Sequence, residues 1–186
     1  MNLTYQELEK LSSRNVDFIV SNDSFDNILK ISKQLLNNEK WEPSLQEFAV
    51  KVLERLKVLN PVKWNSDWRY EAFLGHAYNI ICDYDRKYLT YKNALAKVNP
   101  PPPELLVALA RCYLSPEPPI TFDESFTLVK KSIENNLYIE AVELICGLYK
   151  LQNDEKEEKK YRDILKKTKT QNFHLMPLDE FITFDP

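Results

Sequence analysis

A chain of 186 residues, 44% hydrophobic and with a formal net charge of -3, can bury one continuous core but is too short for two large domains. Its acids and bases are interspersed, so it sets up no basic field to gather phosphates, which argues against nucleic acid as a partner. The two glycines, Gly75 and Gly147, leave no material for the glycine-rich loops that cradle phosphates or for the positive-φ turns of hairpin-rich β folds.

The opening residues contain no basic segment running into an apolar one, and no stretch approaches about 18 consecutive apolar residues. The expectation is a cytoplasmic protein with neither export nor membrane insertion. Cys82, Cys112 and Cys146 are an odd number, too widely spaced for a CxxC metal knuckle or a compact disulfide framework. Each falls on the apolar side of a predicted helix, where it reads as a buried thiol.

In chain order, a first helix is predicted over residues 5–20, opened by Thr4 with Glu7, and a second over 25–37, with Ser24 as cap and Ile28, Ile31 and Leu35 inward. From Ser44 onward Leu45, Phe48, Ala49, Val52, Leu53 and Leu56 follow the i, i+3, i+4, i+7 rule. Pro43 and a capping box of Ser44 with Glu47 open this third helix, and Asn60-Pro61 closes it, because proline drives the preceding residue out of the helical region. Further helices are predicted over 68–82, 86–98, 104–114, 122–134, 137–151 and 155–167. Phe122, Phe126, Val129 and Ile133 form one inward stripe, and Leu137, Ala141, Leu144, Leu148 and Leu151 form another. In the charged helix over 155–167, Glu155 can reach Lys159 and Glu158 can reach Arg162, which reads as a solvated face. The remaining residues, 169–186, have no sustained period but carry Phe173, Phe181, Ile182 and Phe184; they are expected to dock on the helices.

Helices of this length with short connections pack antiparallel. Their closures at Pro61, Pro100, Asn136 and Lys169 recur at intervals of roughly 33 to 39 residues, the period of two-helix repeats. Such a hairpin cannot bury both its helices alone and needs its neighbours as walls. The expectation is therefore a single all-α domain over 1–186: divergent N-terminal helices over 1–61, repeats over 62–168 and a docked segment over 169–186. Within 68–100, Leu74 and Gly75 followed by Tyr78, then Tyr91, Ala94 and Asn99-Pro100, resemble the tetratricopeptide repeat family. The next repeat keeps Leu109, Ala110 and Tyr113 at the same spacing, and the last keeps Cys146 and Tyr149. Two positions depart from the pattern: Lys87 stands where a small alanine is favoured, and Glu71 where an aromatic is.

That resemblance implies a right-handed superhelical stack of helix pairs, an α-solenoid whose first helices line a groove. Carried onto matching positions, the groove residues would be Arg69, His76, Asn79, Arg111, Glu140, Glu143 and Lys150. Ala72 and Val107 stand where the family's clamp for chaperone C-terminal carboxylates needs lysine, so that ligand is disfavoured. Trp64, in a polar linker between predicted helices, reads separately as an exposed indole able to anchor a partner.

No chemistry competes with this. The only histidines, His76 and His174, do not lie within four residues of a cysteine or a second histidine that could complete a metal site, and no G-x-S-x-G elbow is present. The reading is a module without catalytic activity, cofactor or metal that binds a protein, either a peptide or a folded surface. An immunity protein that occludes a cognate toxin and a tetratricopeptide-type secretion chaperone are two sharper versions. An enzyme with a site between helices is the rival from another class. The oligomeric state is left open.

Overall fold

The computed structural model describes residues 3–134 and 139–170. Among them all regular structure is helical and no strand occurs, so the all-α expectation holds. The expected docking of residues 169–186 lies almost wholly outside the described residues. The chain forms two compact units that divide between Thr90 and Tyr91.

The first unit contains α1 (Tyr5–Ser12), α2 (Val16–Asn22), α3 (Phe25–Leu36), α4 (Pro43–Leu59), α5 (Pro61–Asn65) and α6 (Trp68–Ile80). The single helix expected over 5–20 is two helices. The Ser12 and Ser13 hydroxyls donate back to the carbonyls of Glu9 and Lys10 and satisfy acceptors at the end of α1, while the Asn15 side chain accepts the Asp17 N–H and starts α2. Thr4 with Glu7 forms the predicted capping box, and Ser24 caps α3 as expected.

At α4 the sequence expectation is wrong by one register. Proline prefers the first helical position, so Pro43 sits there and Glu42 becomes the flanking residue; Ser44 lies inside the first turn and its hydroxyl donates to Glu42 at 3.2 Å instead of capping. The same preference operates at Pro61, which ends α4 and opens α5, a helix not predicted.

α4 is the hub of this unit, touching α1, α2, α3, α5 and α6. Leu45, Ala49, Val52, Leu53 and Leu56 are all but fully buried on it. α5 turns Trp64 inward: the indole is 0% exposed, with ring centroids 6.3 Å from Phe25 and 5.9 Å from Tyr70, and its Nε1–H meets no acceptor among the described residues. The reading of Trp64 as an exposed partner anchor is therefore overturned, because a segment taken for a linker is a helix with an aromatic face. Glu71, where the repeat pattern favours an aromatic, is also buried; Lys57 meets its two carboxylate oxygens at 2.9 and 3.0 Å.

α7 (Tyr84–Leu95) leads from the first unit into the second, which contains α8 (Pro103–Ala110), a 3-10 turn (Arg111–Leu114), α9 (Phe122–Ile133), α10 (Ile139–Leu151) and α11 (Glu155–Thr170). α10 packs on α8, α9 and α11. Val107, Ala110, Val129, Ala141, Ile145 and Leu148 form its core, with Phe122, Phe126 and Ile133 packed alongside as the α9 stripe predicts. Tyr113, Phe122, Phe126, Tyr149 and Tyr161 continue this packing as a chain of ring contacts at 5.0 to 5.8 Å. On α11 Glu158 reaches Arg162 as expected, but Lys160 takes Glu157 at 3.0 Å, and Glu155 forms no ion pair among the described residues.

Three further expectations fail locally. Leu151 is 62% exposed, because the last residue of α10 has passed the edge of the core; Leu137 of the same predicted stripe lies outside the described residues. Cys82 is exposed rather than buried, since α6 ends at Ile80 and Cys82 takes a left-handed backbone with φ 60° in the connection that follows. Cys146 is only half-buried, whereas Cys112 is fully buried.

The second unit's α9 starts on a complete capping box of Thr121 with Glu124. Thr121→Ala is expected to destabilise the protein by about 1 kcal/mol in thermal or urea unfolding. Ser44→Ala, which the sequence alone would place in the same class, is expected to stay within about 0.5 kcal/mol of wild type.

Candidate functional site

In the first unit Arg69, His76 and Asn79 share one face of α6. Arg69 is not free to meet a ligand. Its Nε donates to Asp67 Oδ2 at 2.8 Å, its Nη2 makes a still closer contact to the same oxygen, and the other Asp67 oxygen accepts the Arg69 N–H at 2.9 Å to cap α6. The hydrogen bond that Asp67 accepts from it holds the guanidinium pKa above its ordinary value. His76 is half-buried and Asn79 exposed. Trp64 is not on this face, and the exposed tryptophan of the unit is Trp41, 65% exposed.

Around the turn after α6 the unit builds a closed polar clamp. The Tyr78 hydroxyl donates to Glu54 at 2.6 Å, Arg86 donates to the same carboxylate oxygen at 2.6 Å and to Asp83 at 2.6 Å, and the Arg86 guanidinium lies 4.6 Å above the Tyr78 ring. Burial, reinforced by Glu54, raises the Tyr78 hydroxyl far above the ordinary tyrosine range. It stays protonated as a donor, so the group ties helices together instead of carrying a base or nucleophile.

In the second unit the remaining sequence-derived positions converge. Glu140, Glu143, Gly147 and Lys150 line one side of α10. Arg111, on the 3-10 turn, joins that row by pairing with Glu140 at 2.9 Å. Glu104, in the first turn of α8, completes the group: one of its carboxylate oxygens is buried without a hydrogen-bond partner, and burial first, then the nearby charge of Glu140, raises its pKa. At Gly147 a Cβ would meet no atom of the described residues within 4 Å.

Sequence reasoning found Arg111, Glu140, Glu143 and Lys150 through the repeat resemblance but missed Gly147 and Glu104. The signal for Gly147 was available, since a glycine inside a helix costs about 0.5–1 kcal/mol relative to alanine and nothing in the pattern required it. Glu104 gave none; an acid after Pro103 reads as an ordinary first-turn residue.

Among the described residues no three His, Cys, Asp or Glu side chains are placed to hold a metal ion, and no helix is long and apolar enough to cross a membrane. His174 lies outside the described residues. No protein-family model and no curated protein matches the chain.

Because Gly147 has no packing role among the described residues, Gly147→Ala is expected to raise stability by about 0.5–1 kcal/mol, seen as a melting temperature about 1–4 °C higher. Glu104 carries a folded-state pKa above the ordinary 4.5, so between those values the native state holds a proton that the unfolded chain has released. Stability falls as pH rises through that window and stays reduced above it. Glu104→Gln is accordingly expected to melt higher than wild type at neutral pH and to lose that advantage below pH 4.5, as melts across a pH series would show.

Proposed function

We propose that this chain is a non-enzymatic interaction module, a right-handed stack of antiparallel helix pairs of the tetratricopeptide type, which binds a protein partner in the cytoplasm. The observation that carries this reading is the row along α10: a helical glycine with no atom of the described residues over it, flanked by the charges of Glu140, Glu143 and Lys150 and closed at one end by Arg111. A folded chain gains nothing from a bare helical glycine of its own, whereas an approaching backbone or side chain gains close contact there.

The row is of mixed sign, acidic at Glu140 and Glu143 and basic at Arg111 and Lys150. That pattern suits registration on a partner surface of complementary, mixed charge better than capture of a uniformly acidic tail. Support also comes from the succession α8, α9, α10 and α11, in which each helix packs on the next and α10 returns to α8, the neighbour dependence on which repeat stacks rest.

The test uses the full chain as bait in its own cell lysate, with wild type, Gly147→Trp and Lys150→Glu compared by quantitative mass spectrometry. Both substitutions fall at exposed positions, so both variants are expected to melt within a few degrees of wild type. A partner enriched by wild type is expected to drop on the order of tenfold with either variant, which corresponds to about 1.4 kcal/mol of binding. Equal capture by all three baits would remove α10 from the binding surface.

A further inference from the structure

We propose that the groove between α2 and α4 binds an acidic peptide segment of a separate protein, one that carries large apolar side chains among its acids. α2 runs for 7 residues against the 17 of α4 and buries only Ile19 and Val20, so it covers part of α4 and leaves a seam beside it. The seam opens into a groove of about 730 Å³, within the roughly 300–1,000 Å³ of protein ligand pockets. Val16, Phe48 and Val58 are its apolar lining, and Val58 is 64% exposed. Phe18 and Leu59, which follow Asp17 and Val58 in the chain, stand open as well, at 56 and 43%. Apolar surface left open on two neighbouring helices marks a contact with another molecule.

The charges of the groove decide what that molecule carries. Arg14, Asp17, Lys51, Glu54 and Arg55 line it. Both acids are engaged within the unit: Asp17 pairs with Arg55, and Glu54 accepts from Tyr78 and Arg86. Arg14 and Lys51 are exposed, and neither forms an ion pair among the described residues. The open charge of the groove is therefore positive, although the chain as a whole stands at -3. A complementary ligand places carboxylates around apolar side chains: burial of the apolar groups supplies affinity, while the carboxylates fix register and turn away basic competitors. A nucleic-acid backbone would leave the apolar lining wet. A bilayer surface cannot follow a concave seam, and Asp17 and Glu54 on its border would repel anionic lipid. A peptide meets both demands.

The test selects from a random dodecapeptide library displayed on phage, with the full chain immobilised as wild type, as the double variant Arg14→Glu with Lys51→Glu, as Val58→Glu and as Lys150→Glu. All the exchanged side chains are exposed, so each variant is expected to melt within a few degrees of wild type. Wild type is expected to enrich peptides in which Asp or Glu flanks Phe, Trp or Leu and in which Lys and Arg are depleted. The affinity of the leading peptide is expected to fall on the order of tenfold with the double variant and with Val58→Glu, and to be unchanged with Lys150→Glu. No enrichment, enrichment of basic peptides, or a pool indifferent to the groove variants would each overturn the proposal. So would binding to phosphatidylserine vesicles that the double variant abolishes, which makes the groove a membrane contact, or self-association that the leading peptide disperses, which makes its occupant a second copy of the chain. Loss with Lys150→Glu alone would also overturn it while leaving the proposed binding role of α10 standing, so the two readings fail separately.

Discussion

The first unit depends on one helix being buried over more than a single stripe. Leu45, Gln46, Phe48, Ala49, Val50, Val52, Leu53 and Leu56 are all buried on α4, and at about 100° per residue they cover roughly half of its circumference or a little more. A surface helix needs neighbours on one side; α4 needs them on several. Each fully buried Leu or Val contributes about 1.5–3 kcal/mol, and this is realised only when α1, α2, α3, α5 and α6 all close on α4. The Lys57 to Glu71 pair belongs to the same constraint. A carboxylate 3% exposed on α6 meets an ammonium that α4 presents to both its oxygens, and removing one member of a buried pair is costly.

The second unit solves the same problem differently and thereby exposes a surface. α10 is buried by α8, α9 and α11 through Ala141, Val142, Leu144, Ile145, Leu148 and Tyr149, which leaves the row from Glu140 to Lys150 open. Packing accounts for the buried side completely. It accounts for nothing on the open side, where a glycine weakens the helix and Glu104 bears the combined cost of burial and of the Glu140 charge.

What was legible in the sequence was whatever a local rule could decide. The stripes on α4 and α9, the capping box at Thr4 and the helical class follow from periodicity and from short-range hydrogen bonding. The failures share a cause as well. The break at Ser12 to Asn15 depends on hydroxyls returning to Glu9 and Lys10, a competition that the apolar pattern does not register. Ser44 lost the capping role to a neighbouring proline with a stronger positional preference. Trp64 was misplaced because a five-residue helix carries too little periodicity to be told from a linker. Of the candidate site, the charged positions on α10 came from the repeat resemblance alone, and the bond between Arg69 and Asp67 that withdraws Arg69 gave no signal, since it is an option of rotamer and not of pattern.

Trp64 meets no acceptor for its N–H among the described residues yet is completely buried; the aromatic contacts with Phe25 and Tyr70 outweigh an unmade hydrogen bond that costs about 1–3 kcal/mol. Trp41 presents the opposite balance: its backbone is left-handed at φ 52° and its side chain is 65% exposed. A bulky residue in that conformation costs on the order of 1–2 kcal/mol, and no burial offsets it. The conformation is held by the connection around it, where Trp41 N–H donates to the Asn38 carbonyl and the Asn38 side chain accepts the Glu42 N–H. The turn is thus fixed by the buried Asn38, and the indole is carried outward as its consequence. An aromatic displayed on a rigid turn loses little entropy on contact, which is the property that makes tryptophan effective at interfaces.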